Sequence, residues 1–269
     1  MTAILQLADT HIVPEGVLVS GRLDTADAMA RLIERISCIR DQIGAIDAVL
    51  VSGDVSDDGS AESYDRFKSL VAPLGLPVHV IPGNHDAREP MRAAFAEGLP
   101  ANGPLNWSRK IGGIHLIGLD TLVEGKGLGT LSSESLSFLQ RALSAAGGAP
   151  VLLALHHPPF ACGIGFMDAI GLTNRTAFRD LLADHAGTLR VVCGHIHNMI
   201  VTDIAGHIAM SAPSPCSTFA YDRRLDAPVG YMTQEDGCLL HRWDAGFQTI
   251  RIGPVAGSGP FPFDVANRK

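Results

Sequence analysis

The sequence predicts an α/β fold, because short apolar runs alternate with segments of helical period through residues 1–195. The apolar runs are rich in β-branched residues and almost continuous, as is typical of strands covered on both faces. They lie at residues 3–8, 48–52, 78–81, 114–119, 151–155 and 189–193. This order of elements favours helices layered on a largely parallel sheet.

The helical segments are predicted at residues 25–43, 60–70, 133–146 and 174–185. In the first of them the apolar residues form one stripe, the pattern of a helix that packs on a sheet. That stripe consists of Ala28, Met29, Leu32, Ile33, Ile36 and Ile39. Ser132 and Thr173 are candidates for the residues that cap the two later helices.

The last third of the chain has a different character. Residues 199–202, 207–211, 237–243 and 247–252 are predicted as successive strands without helices between them, which favours an added antiparallel sheet. Residues 214–233 interrupt these strands and are interpreted as an excursion that serves as a cap or a dimer contact. Residues 254–269 are predicted to form an irregular tail. We therefore expect one domain over residues 1–269.

The composition limits the classes of partner. The 269 residues are 46% hydrophobic and 18% charged, with a formal charge of −7, so no basic surface is available to neutralise a row of phosphates. We expect no stable nucleic-acid partner, and a phosphate-bearing substrate needs another source of positive charge. No run approaches the roughly 20 apolar residues that span a bilayer. The N-terminal segment also lacks the features of a signal peptide, so we expect a cytoplasmic protein without a membrane partner.

Polar residues of metal-binding type follow nearly every predicted strand of the α/β part. They occur in the stretches ADTH, VSGD, PGNHD, LHHPP and CGHIH, and comprise Asp9, His11, Asp54, Asn84, His85, Asp86, His156, His157, His195 and His197. The carboxyl ends of parallel strands share one edge of a sheet, where ligands bind, so these side chains should converge. The pairs Asp9/His11 and His195/His197 are each spaced by two, which on an extended segment places both members on one side.

Each of these residues also has a simpler explanation when it is taken singly. An Asp after Gly often caps a turn or a helix, and a single His in an apolar strand is usually a core residue. We apply that second interpretation to His79, His115, His207 and His241. Asp57 and Asp58 are likewise interpreted as caps of the next helix. Five neighbouring strand ends that all carry such residues favour a metal site instead.

The donor set indicates two metal ions. Imidazole, carboxylate and amide groups suit Zn, Fe, Mn or Co, and the residues are too many for one catalytic ion that keeps an open position. We therefore expect two divalent first-row ions that share a carboxylate. Such a pair supplies the positive charge that a phosphate substrate needs, and binds a bridging hydroxide that can attack a phosphate ester.

The same stretches, in the same order over residues 9–197, resemble the five signature blocks of the calcineurin-like metallophosphoesterases. The resemblance implies a four-layer α-β-β-α sandwich, in which two mixed sheets are flanked by helices. It places one metal ion on Asp9, His11, Asp54 and His197. It places the second on Asn84, His156 and His195, with Asp54 bridging the two ions.

Resemblance also suggests roles for the remaining polar residues. His85 faces the substrate phosphate, either as a stabiliser of transition-state charge or as an acid for the leaving group, and Asp86 orients and charges it. Of the two adjacent histidines, the family uses the first, His156, as the ligand. His157 is then a residue behind the ligands or in the cleft lining.

Within the superfamily, the chain is most similar to bacterial class III cyclic-nucleotide phosphodiesterases and glycerophosphodiesterases. VSGDVSDDGSAESYDRF, HHPP and GCLLHRW carry this closer resemblance. It implies a small phosphodiester substrate and a homo-oligomer formed through residues 214–233. The alternatives are a phosphomonoesterase or protein phosphatase, or a nuclease, with the same centre. The five blocks contain no arginine, and Arg22 and Arg109 are the nearest candidates for an additional cation.

Overall fold

The computed structural model describes residues 1–224, 226–233 and 237–253, and it contains strands that agree closely with the predicted apolar runs. The strands are β1 (Thr2–Leu7), β2 (Ala48–Ser52), β3 (Val78–Ile81), β4 (Trp107–Ile111), β5 (Ile114–Gly118), β6 (Val151–Ala154), β7 (Leu189–Cys193), β8 (Val201–Ile204), β9 (His207–Ser211), β10 (Ser217–Thr218), β11 (Met232–Thr233), β12 (Cys238–Trp243) and β13 (Phe247–Ile252). Each of the first six predicted runs corresponds to a strand, with ends that shift by one residue at most. The predicted tail, 254–269, lies outside the described residues.

The helices also follow the predicted pattern. They are α1 (Thr25–Cys38), α2 (Arg40–Ile43), α3 (Ala61–Val71), α4 (Arg88–Ala94), α5 (Ser133–Ala146), α6 (Gly165–Ala169) and α7 (Arg175–Ala183). Segment 25–43 was expected as one helix but breaks at Ile39. The Ser132 side chain accepts a hydrogen bond from the Ser135 amide and caps α5, as predicted. No helix among the described residues has the length and apolar character that crossing a bilayer requires.

The strands form two mixed sheets. The first has the order β13-β12-β1-β2-β3, in which β1, β2 and β3 are parallel and the hairpin β12–β13 is antiparallel to β1. The second has the order β4-β5-β6-β7-β9-β8, with β5, β6, β7 and β9 parallel. The expectation of a separate antiparallel sheet in the last third is therefore wrong. The late strands instead extend the free edges of β1 and β7, because those edges carry unpaired backbone groups.

Four layers result, as the resemblance implied. Alternate residues of the second sheet face opposite sides: Leu152 and Ala154 join the core shared with the first sheet and helices α1 and α3, whereas Leu153 and Leu155 join the core under α5 and α7. The order is thus helices, first sheet, second sheet, helices. The strand ends of both sheets meet at one edge, which is where the polar residues of the motifs lie.

Residues 214–233 leave the second sheet after β9 and return through a short ladder. Ser217 pairs with Thr233 and Thr218 with Met232. The first part of this segment, from Ser214 to Thr218, is buried beside the ligand edge. The segment therefore borders the site that the strand ends form.

Candidate metal centre

The two sheets bring the predicted ligands together. Register pairs Leu7 with Val51 and Val51 with Val80, so the turns that follow β1, β2 and β3 lie side by side. In the second sheet Ala154 pairs with Val192, which aligns the turns after β6 and β7. Asp9, Asp54 and Asn84 therefore come from one sheet, and His156, His195 and His197 from the other.

The ligand turns adopt left-handed backbone conformations. Positive φ angles between 45° and 71° occur at Asp9, His11, Asp54, His195 and His197. For a residue with a side chain this conformation costs about 1–2 kcal/mol. Backbone bonds hold two of these turns: the Asp9 amide donates to the Gly53 carbonyl at 3.1 Å and the His11 amide to the Asp54 carbonyl at 2.9 Å. The paired ligands thus share one side because of turns, and not because of the extended segments that we expected from the sequence.

One group of donors lies around Asp9, His11 and His197, whose ligand atoms are all within 4.8 Å of one another. The His11 Nε2 atom is 3.1 Å from His197 Nε2 and 3.6 Å from Asp54 Oδ2. His197 Nε2 is 3.6 Å from Asp9 Oδ1. These four residues are the set that the resemblance assigned to one ion.

A second group of donors lies on the other side of Asp54. His156 Nε2 is 3.1 Å from Asn84 Oδ1 and 3.4 Å from Asp54 Oδ2. The His195 Nε2 atom is buried close by and has no hydrogen-bond partner among the described residues, and the same is true of Asp9 Oδ2. Asp54 Oδ2 therefore lies within 4 Å of an imidazole nitrogen of each group.

Two of the ligand histidines donate a hydrogen bond from the ring nitrogen that faces away from the centre, which leaves the other ring nitrogen free to bind there. His156 donates from Nδ1 to the Ser52 carbonyl at 2.9 Å, and His11 donates from Nδ1 to Asp57 Oδ1 at 2.9 Å. The Nε2 atoms of these histidines then carry lone pairs that face carboxylate and amide oxygens. Lone pairs brought this close in a buried space repel one another unless a proton or a metal ion lies between them. The donor set therefore fits divalent metal ions.

His157 is held in a different way. Its Nδ1 atom is 2.8 Å from the Thr121 hydroxyl and its Nε2 atom is 3.1 Å from the Gly127 carbonyl, so both ring nitrogens have protein partners. In His156, by contrast, the Nε2 atom faces the other donors of the centre. This arrangement supports His156 as the ligand of the pair.

The structure corrects the role of Asp86. Its carboxylate accepts hydrogen bonds from the amides of Val55, Ser56 and Gly83 and from the Tyr64 hydroxyl, so it fixes the turn after β2 and does not contact His85. The sequence suggested His85 as its partner because the two are adjacent. Consecutive side chains leave the backbone in different directions, and Asp86 turns inward.

Asp57 takes the place that we assigned to Asp86. Its Oδ1 is 3.2 Å from His85 Nδ1, and its backbone carbonyl is 3.1 Å from the same nitrogen. The same carboxylate oxygen bonds His11, so one side chain orients both histidines. The signal for this role was the position of Asp57 three residues after Asp54, but we interpreted Asp57 as a helix cap.

The two carboxylates of the centre, Asp9 and Asp54, differ in pKa. Burial raises the pKa of Asp9 to about 7, with Asp54 contributing. Burial also pushes the pKa of Asp54 upward, but the neighbouring histidines, led by His156, outweigh it and hold that pKa well below its usual value. Asp54 is thus the more firmly ionised of the two, which suits a carboxylate that two cations would share.

The histidines of the site also differ in pKa. Burial holds the pKa of His195 and of His197 well below the usual value, so both are neutral and able to ligate at pH 7. Burial alone would also lower the pKa of His156 and His85, but carboxylates outweigh it. Asp54 raises the pKa of His156 to about 9, and Asp57 with Asp54 raises that of His85 to about 10.

A cleft of about 190 Å³ opens onto the donors. The residues that line it include His85 and Asp57 together with a largely apolar set, namely Val19, Leu23, Phe166, Met167, Ile170, Phe219 and Tyr231. Among the described residues that line it, none is Arg or Lys; Arg22 and Arg109, the sequence candidates, do not line it. The Phe219 ring lies 4.9 Å from that of His197 and 5.2 Å from that of Phe166, a feature the sequence did not indicate. A larger cavity of about 580 Å³ lies near β3 and contains none of the donors.

Comparisons with known proteins agree with this geometry. A sequence model of the calcineurin-like phosphoesterases matches residues 2–199. The chain is 34% identical over 265 residues to a probable glycerophosphodiester phosphodiesterase of Arcobacter nitrofigilis, covering 97% of this chain and 96% of that protein. It is 38% identical over 218 residues to a 3',5'-cyclic adenosine monophosphate phosphodiesterase of Pseudomonas aeruginosa, covering 81% and 77%. A dimetal phosphatase from Danio rerio has a similar fold, with a TM-score of 0.67, 14% identity and coverage of 93% and 98%.

The two-sheet sandwich and its clustered donors define the class of protein as a metal-dependent phosphoesterase. The chain belongs to the calcineurin-like phosphoesterase family. This membership confirms the resemblance that the sequence motifs carried.

Gly53→Ala should abolish binding at the second group of donors. A Cβ at this position would lie 2.2 Å from His156 Nδ1, which must move and give up its bond to Ser52. Metal content of the full-length protein, measured by plasma emission spectrometry, should fall from two ions to one or none. Gly125→Ala is the control, since it has a φ of 73° but meets nothing within 4 Å. Two ions bound at wild-type affinity by Gly53→Ala would contradict the assignment of His156.

Proposed function

We propose that the protein hydrolyses small phosphodiesters at a centre of two divalent first-row metal ions, drawn from Fe, Mn, Zn and Co. The observation that carries the proposal is the position of Asp54 Oδ2, which lies 3.6 Å from His11 Nε2 and 3.4 Å from His156 Nε2, between the two groups of donors. A carboxylate in that position is the arrangement expected of a ligand shared by two cations.

The side chains have the following proposed assignments. Asp9, His11, Asp54 and His197 would hold one ion, and Asn84, His156 and His195, with Asp54, the other. Bound ions would act as Lewis acids on the phosphoryl oxygens and activate water as the nucleophile. The chain itself would fix the imidazole tautomers through Ser52 and Asp57, and a substrate phosphate in the cleft would lie beside His85.

We propose that His85 donates a proton to the leaving oxygen. Its Nδ1 is fixed against Asp57, and its side chain is 41% exposed and lines the cleft, so Nε2 is left for substrate. An alkoxide leaving group needs such a proton because it is strongly basic. Stabilisation of transition-state charge by the same imidazole is the alternative, and the leaving group distinguishes the two.

The cleft favours diesters over monoesters. A phosphomonoester dianion benefits from permanently charged side chains beyond the metal ions, and no Arg or Lys lines the cleft among the described residues. A diester carries one negative charge and a second organic group, for which Phe166, Phe219 and Tyr231 provide an apolar surface. The names of the relatives in Arcobacter and Pseudomonas, both phosphodiesterases, support this choice.

We also propose a homo-oligomer formed through residues 214–233. Tyr221, Val229 and Met232 are 59%, 73% and 52% exposed, an unusual set of large apolar side chains on one short segment. Sedimentation equilibrium of the full-length protein measures the assembly, and a monomer at all concentrations would exclude it.

The metal-reconstituted protein should hydrolyse bis(p-nitrophenyl) phosphate with a higher kcat/KM than p-nitrophenyl phosphate, by about tenfold or more, because no Arg or Lys among the described lining residues is available to pair with the dianion. A panel of glycerophosphodiesters, cyclic nucleotides and single-stranded DNA, assayed in the same way, defines the diester accepted. A preference for the monoester would favour a phosphatase instead, and preferred cleavage of the DNA a nuclease.

His85→Ala should lower kcat by roughly 10²–10⁴-fold for a diester with an alkyl leaving group, with both ions still bound. For a p-nitrophenyl leaving group the loss should be much smaller, because this weakly basic oxygen needs no proton. Asn84→Ala is the matched variant, and should mainly reduce metal content. Equal losses for the two leaving groups would indicate that His85 stabilises transition-state charge and does not donate a proton. No loss for either group would show that His85 takes no part in the reaction.

Asp57→Asn should lower kcat by about 10–100-fold with a small change in KM, because a neutral amide oxygen holds His11 and His85 more weakly than a carboxylate does. Steady-state kinetics with both leaving groups measures this effect. Asp58→Asn is the control, since Asp58 is exposed and, among the described residues, bonds the Ser60 amide of the next turn and neither histidine. If the two variants are equally active, Asp57 does not orient His85.

A further inference from the structure

A glutamine lies buried between the two sheets, behind the metal centre. Gln6 of β1 is 0% exposed, and its side-chain amide crosses from the first sheet to the second. Its Nε2 donates to the Ser52 hydroxyl at 2.8 Å and to the Cys193 carbonyl at 3.1 Å. The mechanism above makes no use of this residue, although an amide buried in an apolar core is costly unless every polar atom is bonded.

The direction of these bonds follows from the chemistry of the acceptor. A carbonyl can only accept, so the atom of Gln6 that meets Cys193 is the nitrogen, and Oε1 points the other way. Oε1 lies 2.8 Å from His241 Nε2, which must therefore carry a hydrogen. His241 Nδ1 is then the acceptor of its neutral ring, at 2.9 Å from the Thr249 hydroxyl.

The chain of bonds continues outward to a cation. Arg190 donates to the Thr249 hydroxyl at 2.7 Å, so this hydroxyl donates its own hydrogen to His241. Burial, helped by Arg190, lowers the pKa of His241 to about 3, which keeps the ring neutral. Every bond from Arg190 inward to Ser52 thus points the same way, and hydrogen bonds in such chains strengthen one another. We call Arg190, Thr249, His241, Gln6 and Ser52 the relay.

The inner end of the relay touches the strand ends that carry the ligands. The Ser52 hydroxyl contacts the Leu7 carbonyl at 3.3 Å, and the Ser52 carbonyl accepts from His156 Nδ1 at 2.9 Å. Leu7, Ser52 and Cys193 each stand two residues before a ligand: Asp9, Asp54 and His195. Gln6 bonds both Ser52 of the first sheet and Cys193 of the second, and so links the two sheets next to both groups of donors.

We propose that the relay is a positioning device that sets the separation of the two groups of metal ligands by fixing the orientation of the Gln6 amide. The proposal rests on the binuclear centre of the proposed function. It assigns a role in metal binding to side chains of β12 and β13, which contribute no ligand.

The orientation of the Gln6 amide depends on the outermost hydroxyl. Without the Thr249 hydroxyl, His241 Nδ1 loses the donor that favours the tautomer with its hydrogen on Nε2. The other tautomer then becomes accessible, in which Nε2 is an acceptor and pairs with a flipped Gln6 amide. The flipped amide would turn its oxygen toward the Cys193 carbonyl, and two acceptors repel. The strand ends would then separate at the point where the two sheets meet.

Three variants of the full-length protein test the relay. Thr249→Val removes the hydroxyl and keeps the shape, Thr249→Ser keeps the hydroxyl, and Gln6→Met removes the amide at similar volume. Leu240→Ala is the control for loss of stability, since Leu240 is 0% exposed and adjacent to His241 but outside the relay. Calorimetric titration of each metal-free protein with Mn²⁺ gives the two affinities. Electron paramagnetic resonance of the loaded protein reports the magnetic coupling between the ions.

We expect Gln6→Met to weaken binding of at least one Mn²⁺ by about tenfold or more and to change the coupling between the ions. Thr249→Val should weaken binding by about fivefold. Thr249→Ser and Leu240→Ala should retain wild-type affinities and coupling, even where Leu240→Ala lowers Tm more. Wild-type affinities and coupling in both Gln6→Met and Thr249→Val would overturn the relay with the binuclear centre intact. A wild-type protein that binds fewer than two ions would overturn the centre itself, and the relay with it.

Discussion

The rest of this structure depends on one constraint. The lone pairs of several carboxylates and imidazoles share one buried space, where they repel one another. Two imidazole nitrogens face each other at 3.1 Å, and carboxylate oxygens face imidazole nitrogens at 3.4 and 3.6 Å. Asp9 Oδ2 and His195 Nε2 have no protein partner among the described residues. The chain also adopts left-handed backbone at the ligand turns. Such costs are tolerated at functional sites because the surrounding structure outweighs them. Here two sheets and two hydrophobic cores hold the turns, and the metal ions would relieve the repulsion.

The centre also requires that the backbone turns which carry the ligands lie very close to one another. A Cβ at Gly83 would lie 2.1 Å from Asp54 Oδ1, and one at Gly194 would lie 2.8 Å from the Ser52 carbonyl. Only glycine lets the turns of the two sheets approach so closely that Asp54 lies between both groups of donors. The glycines of the motifs therefore serve the geometry of the centre as directly as the ligands do.

Much of this arrangement could be predicted from the sequence, because its signals are local. Strand ends, apolar stripes and the order of the motifs depend on neighbouring residues, and they placed the strands, the longer helices and the converging donors. Contacts between distant parts of the chain gave no such signal. Asp57 was interpreted as a cap and Asp86 as the partner of His85, and Phe219 was missed. His241 was correctly interpreted as a core residue, but its link through Gln6 to Ser52 depends on packing that periodicity does not reveal.

Anomalous diffraction from crystals of the Mn²⁺-loaded protein is the most direct measurement of the binuclear centre. Two peaks are expected, each about 2.0–2.3 Å from its ligand atoms. One should be bound by Asp9, His11 and His197 and the other by Asn84, His156 and His195, with Asp54 bound to both. A single peak, or a second ion on His157 with His156 and Asn84 unbound, would contradict the account.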